Sequence, residues 1–92
     1  TITYAGSPQV AKNPPWDGGF IWRKTPAGKD WVTVACEGVG ASLWWPCKDH
    51  LSDEPDSMRI TCRVPKGLKC ISNGKFQTER PARNGSQSEW VW

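Results

Sequence analysis

Histidine, methionine and tyrosine are nearly missing from this chain: His50, Met58 and Tyr4 are the single examples of each. One histidine leaves a Ser-His-Asp or Cys-His arrangement with a single base to draw on. That residue lies beside Asp49 in an acidic loop, where it reads as a solvated or hydrogen-bonded loop histidine. Cys47 is its sequence neighbour, not thereby a catalytic partner. The four cysteines, Cys36, Cys47, Cys62 and Cys70, include no C-x-x-C pair. Zinc sites usually have close Cys and His spacing, so no metal site is read here. There is no run of five like charges. The net charge of +3 is spread along the sequence, which gives little reason to propose nucleic acid or an anionic membrane as partner. No signal peptide, lipidation motif or membrane-spanning apolar run is found. No window of useful length has helical periodicity, and no segment repeats.

What the chain does hold is tryptophan, glycine and proline: seven, nine and eight residues of 92. Many turns and short elements follow, so strands are favoured over helices. A chain of this size buries roughly 60–65% of its unfolded surface, enough for one core. Each tryptophan can bury on the order of 150–250 Å² of it. A mean hydropathy of −0.61 and 23% charged residues fit a globular chain. The cysteines sit among apolar or strand-like neighbours and read as buried free thiols. Four cysteines allow three pairings, and one disulfide stays open if the protein is exported.

In chain order, Thr1 to Tyr4 reads as the end of a strand and Ala5 to Gly19 as a long loop. Within it Trp16-Asp17-Gly18-Gly19 is the expected turn, with Asp17 bonding nearby backbone N–H groups. Phe20 to Lys24 and Trp31 to Cys36 are expected strands joined by a connector of hairpin length. Met58, Ile60, Cys62 and Val64 alternate with Ser57, Arg59, Thr61 and Arg63, the period of a half-buried strand in an antiparallel sheet. Pro65-Lys66-Gly67 ends it. Leu68 to Ser72 and Lys75 to Glu79 are expected strands around Asn73-Gly74, a type I′ hairpin signal. Gln87 to Trp92 is a last strand. The expected fold is all-β: an antiparallel sheet or sandwich of six or seven strands, with an exposed edge. Both ends read as strand pieces cut from something longer, with residues 1–92 forming a single β domain.

The stretch from Cys36 to Asp56 is too rich in Gly and Pro for a regular element and too apolar in its middle for a linker. A loop of this length in a small domain is functional or packed. Trp44-Trp45 suits either a stacking platform for sugars or a plug and cover for the core. The carboxylates Asp49, Asp53, Glu54 and Asp56 suit a solvated loop; they lack the pattern of an EF-hand calcium site. Glu37 is the acid of interest. It stands at a strand end ahead of Gly38 and Gly40, where a carboxylate faces a cleft and glycines let a ligand approach closely.

The run Ala35-Cys36-Glu37-Gly38-Val39-Gly40-Ala41-Ser42-Leu43-Trp44-Trp45-Pro46-Cys47-Lys48-Asp49, the alternating strand through Val64, the Val64-Pro65-Lys66-Gly67-Leu68 segment and Ser72-Asn73-Gly74 together resemble the N-terminal domain of the aminopeptidase N family of zinc metallopeptidases, which includes the leukotriene hydrolase branch. Pro14 to Phe20 resembles a bacterial subgroup of that family. The resemblance runs over nearly the whole chain. It implies a saddle-like, mostly antiparallel β domain packed on a thermolysin-like catalytic domain of the same chain. That catalytic domain carries H-E-x-x-H, a distant Glu ligand and a Gly-x-Met-x-Asn motif, none of which is in these 92 residues. Zinc is expected in the full-length parent and no cofactor in this fragment, which alone is not catalytic.

Through the resemblance, Glu37 and Gly38 become substrate-binding residues, Glu37 holding the free α-amino group of a peptide substrate. Family members often carry Gln where Ala35 stands, so one contact is absent. Pro46, Cys47 and Asp49 match as structural residues, Asp49 accepting backbone bonds within its loop. The parent would be exported or cytoplasmic in a bacterium. The rival reading is a tryptophan-rich carbohydrate-binding β module.

Overall fold

A computed structural model describes residues 1–37, 41–50 and 52–92. They form two compact units, Thr1–Glu54 and Pro55–Trp92. The regular structure is all-β apart from one 3-10 turn at Ala41–Leu43.

The first unit is built on a two-stranded antiparallel ribbon of β1 (Gly19–Lys24) and β2 (Asp30–Ala35), with Gly19 opposite Ala35 and Lys24 opposite Asp30. β-Branched and aromatic residues fill both strands, as extended pairing favours. The connector is closed by backbone bonds from Gly28 to the Thr25 carbonyl and from Thr25 to the Lys29 carbonyl, both 2.8 Å. Gly28 takes the left-handed φ of 75° needed there. A Lys24–Asp30 ion pair spans the mouth of the turn.

The preceding loop docks on the far end of this ribbon. Ala11 N–H donates to the Phe20 carbonyl at 2.9 Å and Phe20 N–H to the Gln9 carbonyl at 2.7 Å. Val10 thereby forms a parallel bridge with Phe20. Asp17 accepts from the backbone of Lys12 and Asn13 at 2.7 and 2.6 Å, as its sequence context predicts. Gly19 lies beneath this junction with φ 143°; a Cβ there would stand 2.7 Å from both Ala11 N and Gln9 O. Only glycine satisfies both conditions.

The second unit is a three-stranded sheet in the order β3 (Thr61–Pro65), β5 (Gln87–Val91), β4 (Thr78–Pro81), antiparallel throughout. Ile60 and Trp92 extend the β3–β5 ladder by two further backbone bonds. The predicted alternation holds from Arg59 onward, with Ile60, Cys62 and Val64 half-buried while Arg59, Thr61 and Arg63 are exposed; Met58, expected on the same face, is exposed and precedes the strand. β4 and β5 are joined by a turn at Ala82–Gly85.

The differences from expectation are local. Thr1 to Tyr4 is exposed and forms no strand. Five strands are present among the described residues. The Asn73-Gly74 hairpin does not form: Gly74 has a φ of 93° but Asn73 stays negative, whereas a type I′ turn needs both positive. Residues 68–72 keep an alternating exposure without a ladder. Residues 66–77 instead carry the chain from one edge of β5 to the other. Trp92 Nε1 donates to the Cys70 carbonyl at 3.3 Å along this path. Phe76 meets the rings of Trp90 and Trp92 at centroid distances of 5.7 and 5.3 Å. Packing against these two indoles, not a local turn, accompanies the route. Only Trp90 among the tryptophans is buried.

The opposite face of that sheet holds Glu89, 5% exposed, the one buried charged residue among those described. Register places it between Arg63 and Arg80. Its carboxylate accepts from Arg63 Nε at 2.9 Å and Arg80 Nε at 2.7 Å, with a further contact from an Arg80 terminal nitrogen. The hydrogen bond from Arg80, then that from Arg63, hold its pKa below the ordinary 4.5.

Gly19→Ala is expected to destabilise the fold by at least about 1–3 kcal/mol, read as a lower midpoint in urea. Gly6→Ala, whose added Cβ meets nothing within 4 Å, serves as the neutral control. Equal midpoints for the two variants would refute the tight approach. Because the folded pKa of Glu89 is depressed, its contribution is present above about pH 4.5 and is lost as pH falls through the folded value. Glu89→Gln should lower stability at pH 7 and flatten the acid limb of a stability–pH curve; an unchanged limb would remove the ion-paired carboxylate from the account.

Candidate functional site

Glu37 follows β2 by two residues. The position is built from the ribbon end upward: Ala35 is buried opposite Gly19, and Gly19 is held under residues 9–11. The backbone leading to Glu37 is therefore fixed while the side chain stays exposed. Gly38, the other residue assigned to substrate binding, lies outside the described residues. Ala35 is packed in the ribbon and presents no polar group where the resemblance places a Gln.

After the 3-10 turn, both Trp44 and Trp45 donate backbone N–H to the Ala41 carbonyl at 3.2 Å. The Tyr4 hydroxyl donates to the Trp44 carbonyl at 3.0 Å. Phe20 meets Trp22 in a stack at 6.0 Å and Trp44 edge-on at 6.4 Å; Trp44 and Trp45 are tilted 42° to each other. Neither Trp44 nor Trp45 is buried, so the expected plug and cover is a half-open aromatic cluster on the ribbon. Sequence reading missed the part of Phe20 and Trp22 in it, although their two-residue spacing places them on one strand face.

His50 is a hydrogen-bonded loop histidine. Its Nδ1 lies 2.6 Å from Ser52 Oγ and accepts from Ser52 N–H at 3.3 Å, while its carbonyl accepts from Asp53 N–H at 3.1 Å. Lys48 pairs with Asp53 at 2.7 Å on the surface. Asp49 accepts no backbone bond among the described residues, so the anchoring implied for it is not made there. No group of three or more His, Cys, Asp or Glu side chains converges among the described residues.

All four cysteines are free thiols, but none is buried: Cys36 is exposed and Cys47, Cys62 and Cys70 are half-buried. Only Cys62 lies in a strand; the other three are in loops. Cys70 is nonetheless pushed from 9.0 to about 12, first by burial and then by the hydrogen bond and charge of Cys62. The Cys70 thiol is a poor nucleophile by that measure. Comparison with protein-family models, curated proteins and solved structures finds no significant match to this chain.

Proposed function

We propose that this chain is the N-terminal, non-catalytic, saddle-shaped β domain of a zinc-dependent aminopeptidase. In this reading it packs on the catalytic domain and supplies Glu37 as the acidic anchor for the substrate's N-terminal amine. The observation that carries it is an exposed carboxylate on a fixed backbone at the end of β2, at the head of an ordered series of family-like motifs. A carboxylate paired with an ammonium makes a charge-assisted hydrogen bond, and a blocked N-terminus offers no such charge. The zinc and its activated water would belong to the catalytic domain.

The apolar surface of the first unit suits a covered domain. Trp16 is 82% exposed, and Trp22 and Trp31 are each 57% exposed. Surface of this kind marks an interaction site. It suits a sugar platform less well. Trp22 pairs with Val32 and Trp31 with Arg23, so the two indoles sit on opposite faces of the ribbon. The Trp44 and Trp45 rings, tilted 42°, do not form one plane either.

In the full-length enzyme, Glu37→Ala should raise KM for unblocked peptides by roughly 10- to 1,000-fold, taking about 1.4 kcal/mol per tenfold. Steady-state kinetics with an aminoacyl anilide reads this directly. An unchanged KM would take Glu37 out of the site.

A further inference from the structure

Charge is not shared evenly between the two units. Residues 55–92 hold seven Lys and Arg against three Asp and Glu, a net +4; residues 1–54 hold five against six, a net −1. The sheet of the second unit concentrates part of this excess on one face. Period-two alternation puts Arg59, Thr61 and Arg63 on the same side of their strand. Register then aligns Thr61, Val91 and Thr78 in one row and Arg63, Glu89 and Arg80 in the next.

Over the first row lies a cleft of about 310 Å³, lined by Arg59, Thr61, Gln77, Thr78, Arg80 and Val91. Val91 is the buried floor. The walls offer two guanidinium groups, two hydroxyls and a carboxamide, and no carboxylate. Glu89, the acid that register places on this face, spends both oxygens on Arg63 and Arg80. One carboxylate set against Arg59, Arg63 and Arg80 leaves the face cationic. The same bonds hold the Arg80 fork in place, so less freedom is lost when its remaining N–H groups meet a ligand. Arg59 has no ion-pair partner among the described residues. The aromatic rings of this unit, Phe76, Trp90 and Trp92, pack together. Trp90, one position from Glu89, belongs to the opposite face, so the arginine-bearing side lacks the base-stacking platform of a single-strand binder.

We propose that this cleft is an oxyanion site that takes a phosphate or sulfate group through Arg59 and Arg80, with the Thr61 and Thr78 hydroxyls donating to the same oxygens. Planar guanidinium forks match such groups in geometry and charge. The site is independent of Glu37 and of the peptide-binding reading.

The test is an NMR titration of the ¹⁵N-labelled chain with sodium phosphate, sodium sulfate and phenyl phosphate, each replacing sodium chloride at constant ionic strength. Saturable shifts are expected at the Thr61, Thr78 and Val91 amides. Arg59→Gln should weaken binding about tenfold or more, the loss typical of a hydrogen bond to a charged group. Arg83→Gln, outside the cleft, should bind as the unsubstituted chain does. Tighter binding of phenyl phosphate than of phosphate assigns the site to an ester, and the reverse to the free anion; either supports it. The proposal is overturned if none of the three anions gives saturable shifts, or if Arg59→Gln binds as tightly as the unsubstituted chain.

Discussion

The backbone of residues 9–11 lies so close to Gly19 that no side chain fits between them. This approach organises the first unit. It gives Phe20 bonds to both Gln9 and Ala11, and it buries Ala35 opposite Gly19 at the end of the ribbon. Two residues further on, Glu37 leaves the ribbon with its side chain exposed. The tight junction and the exposed acid are thus two ends of one arrangement. The second unit depends on a different pairing. Burial of Glu89 is tolerated because two arginines on flanking strands satisfy it, since an unpaired buried charge is costly.

The ribbon and the alternating strand of the second unit were legible in the sequence. Phe20 to Lys24, the Trp31-containing return and the Ile60-Cys62-Val64 pattern each carry their own periodicity, and each forms its strand within a residue or three of expectation. The Asn73-Gly74 signal failed because a turn preference competes with tertiary burial. Covering Trp90 and Trp92 takes the chain across the sheet and leaves residues 68–72 extended but unpaired. The cysteines are less buried than their residue type suggests: three of the four lie in loops outside the strands, and none is fully covered.

The site was legible in part. Glu37 could be placed at a strand end from local pattern, and its exposure agrees with that. What fixes it could not be read, because the Gly19 contact joins segments whose proximity has no local signal. The Arg63–Glu89–Arg80 row was likewise hidden. It depends on β5 inserting between β3 and β4, a topology that no turn residue announces. Arg59, Arg63 and Arg80 are apart in sequence and become a patch only once strand register is known.

The most direct test of the central claim is the activity of the purified full-length protein on an aminoacyl anilide and on its N-acetylated counterpart, with and without a metal chelator. The account predicts hydrolysis of the free-amine substrate alone, lost on chelation and restored by zinc. Absence of hydrolysis, or equal turnover of the acetylated compound, would contradict it.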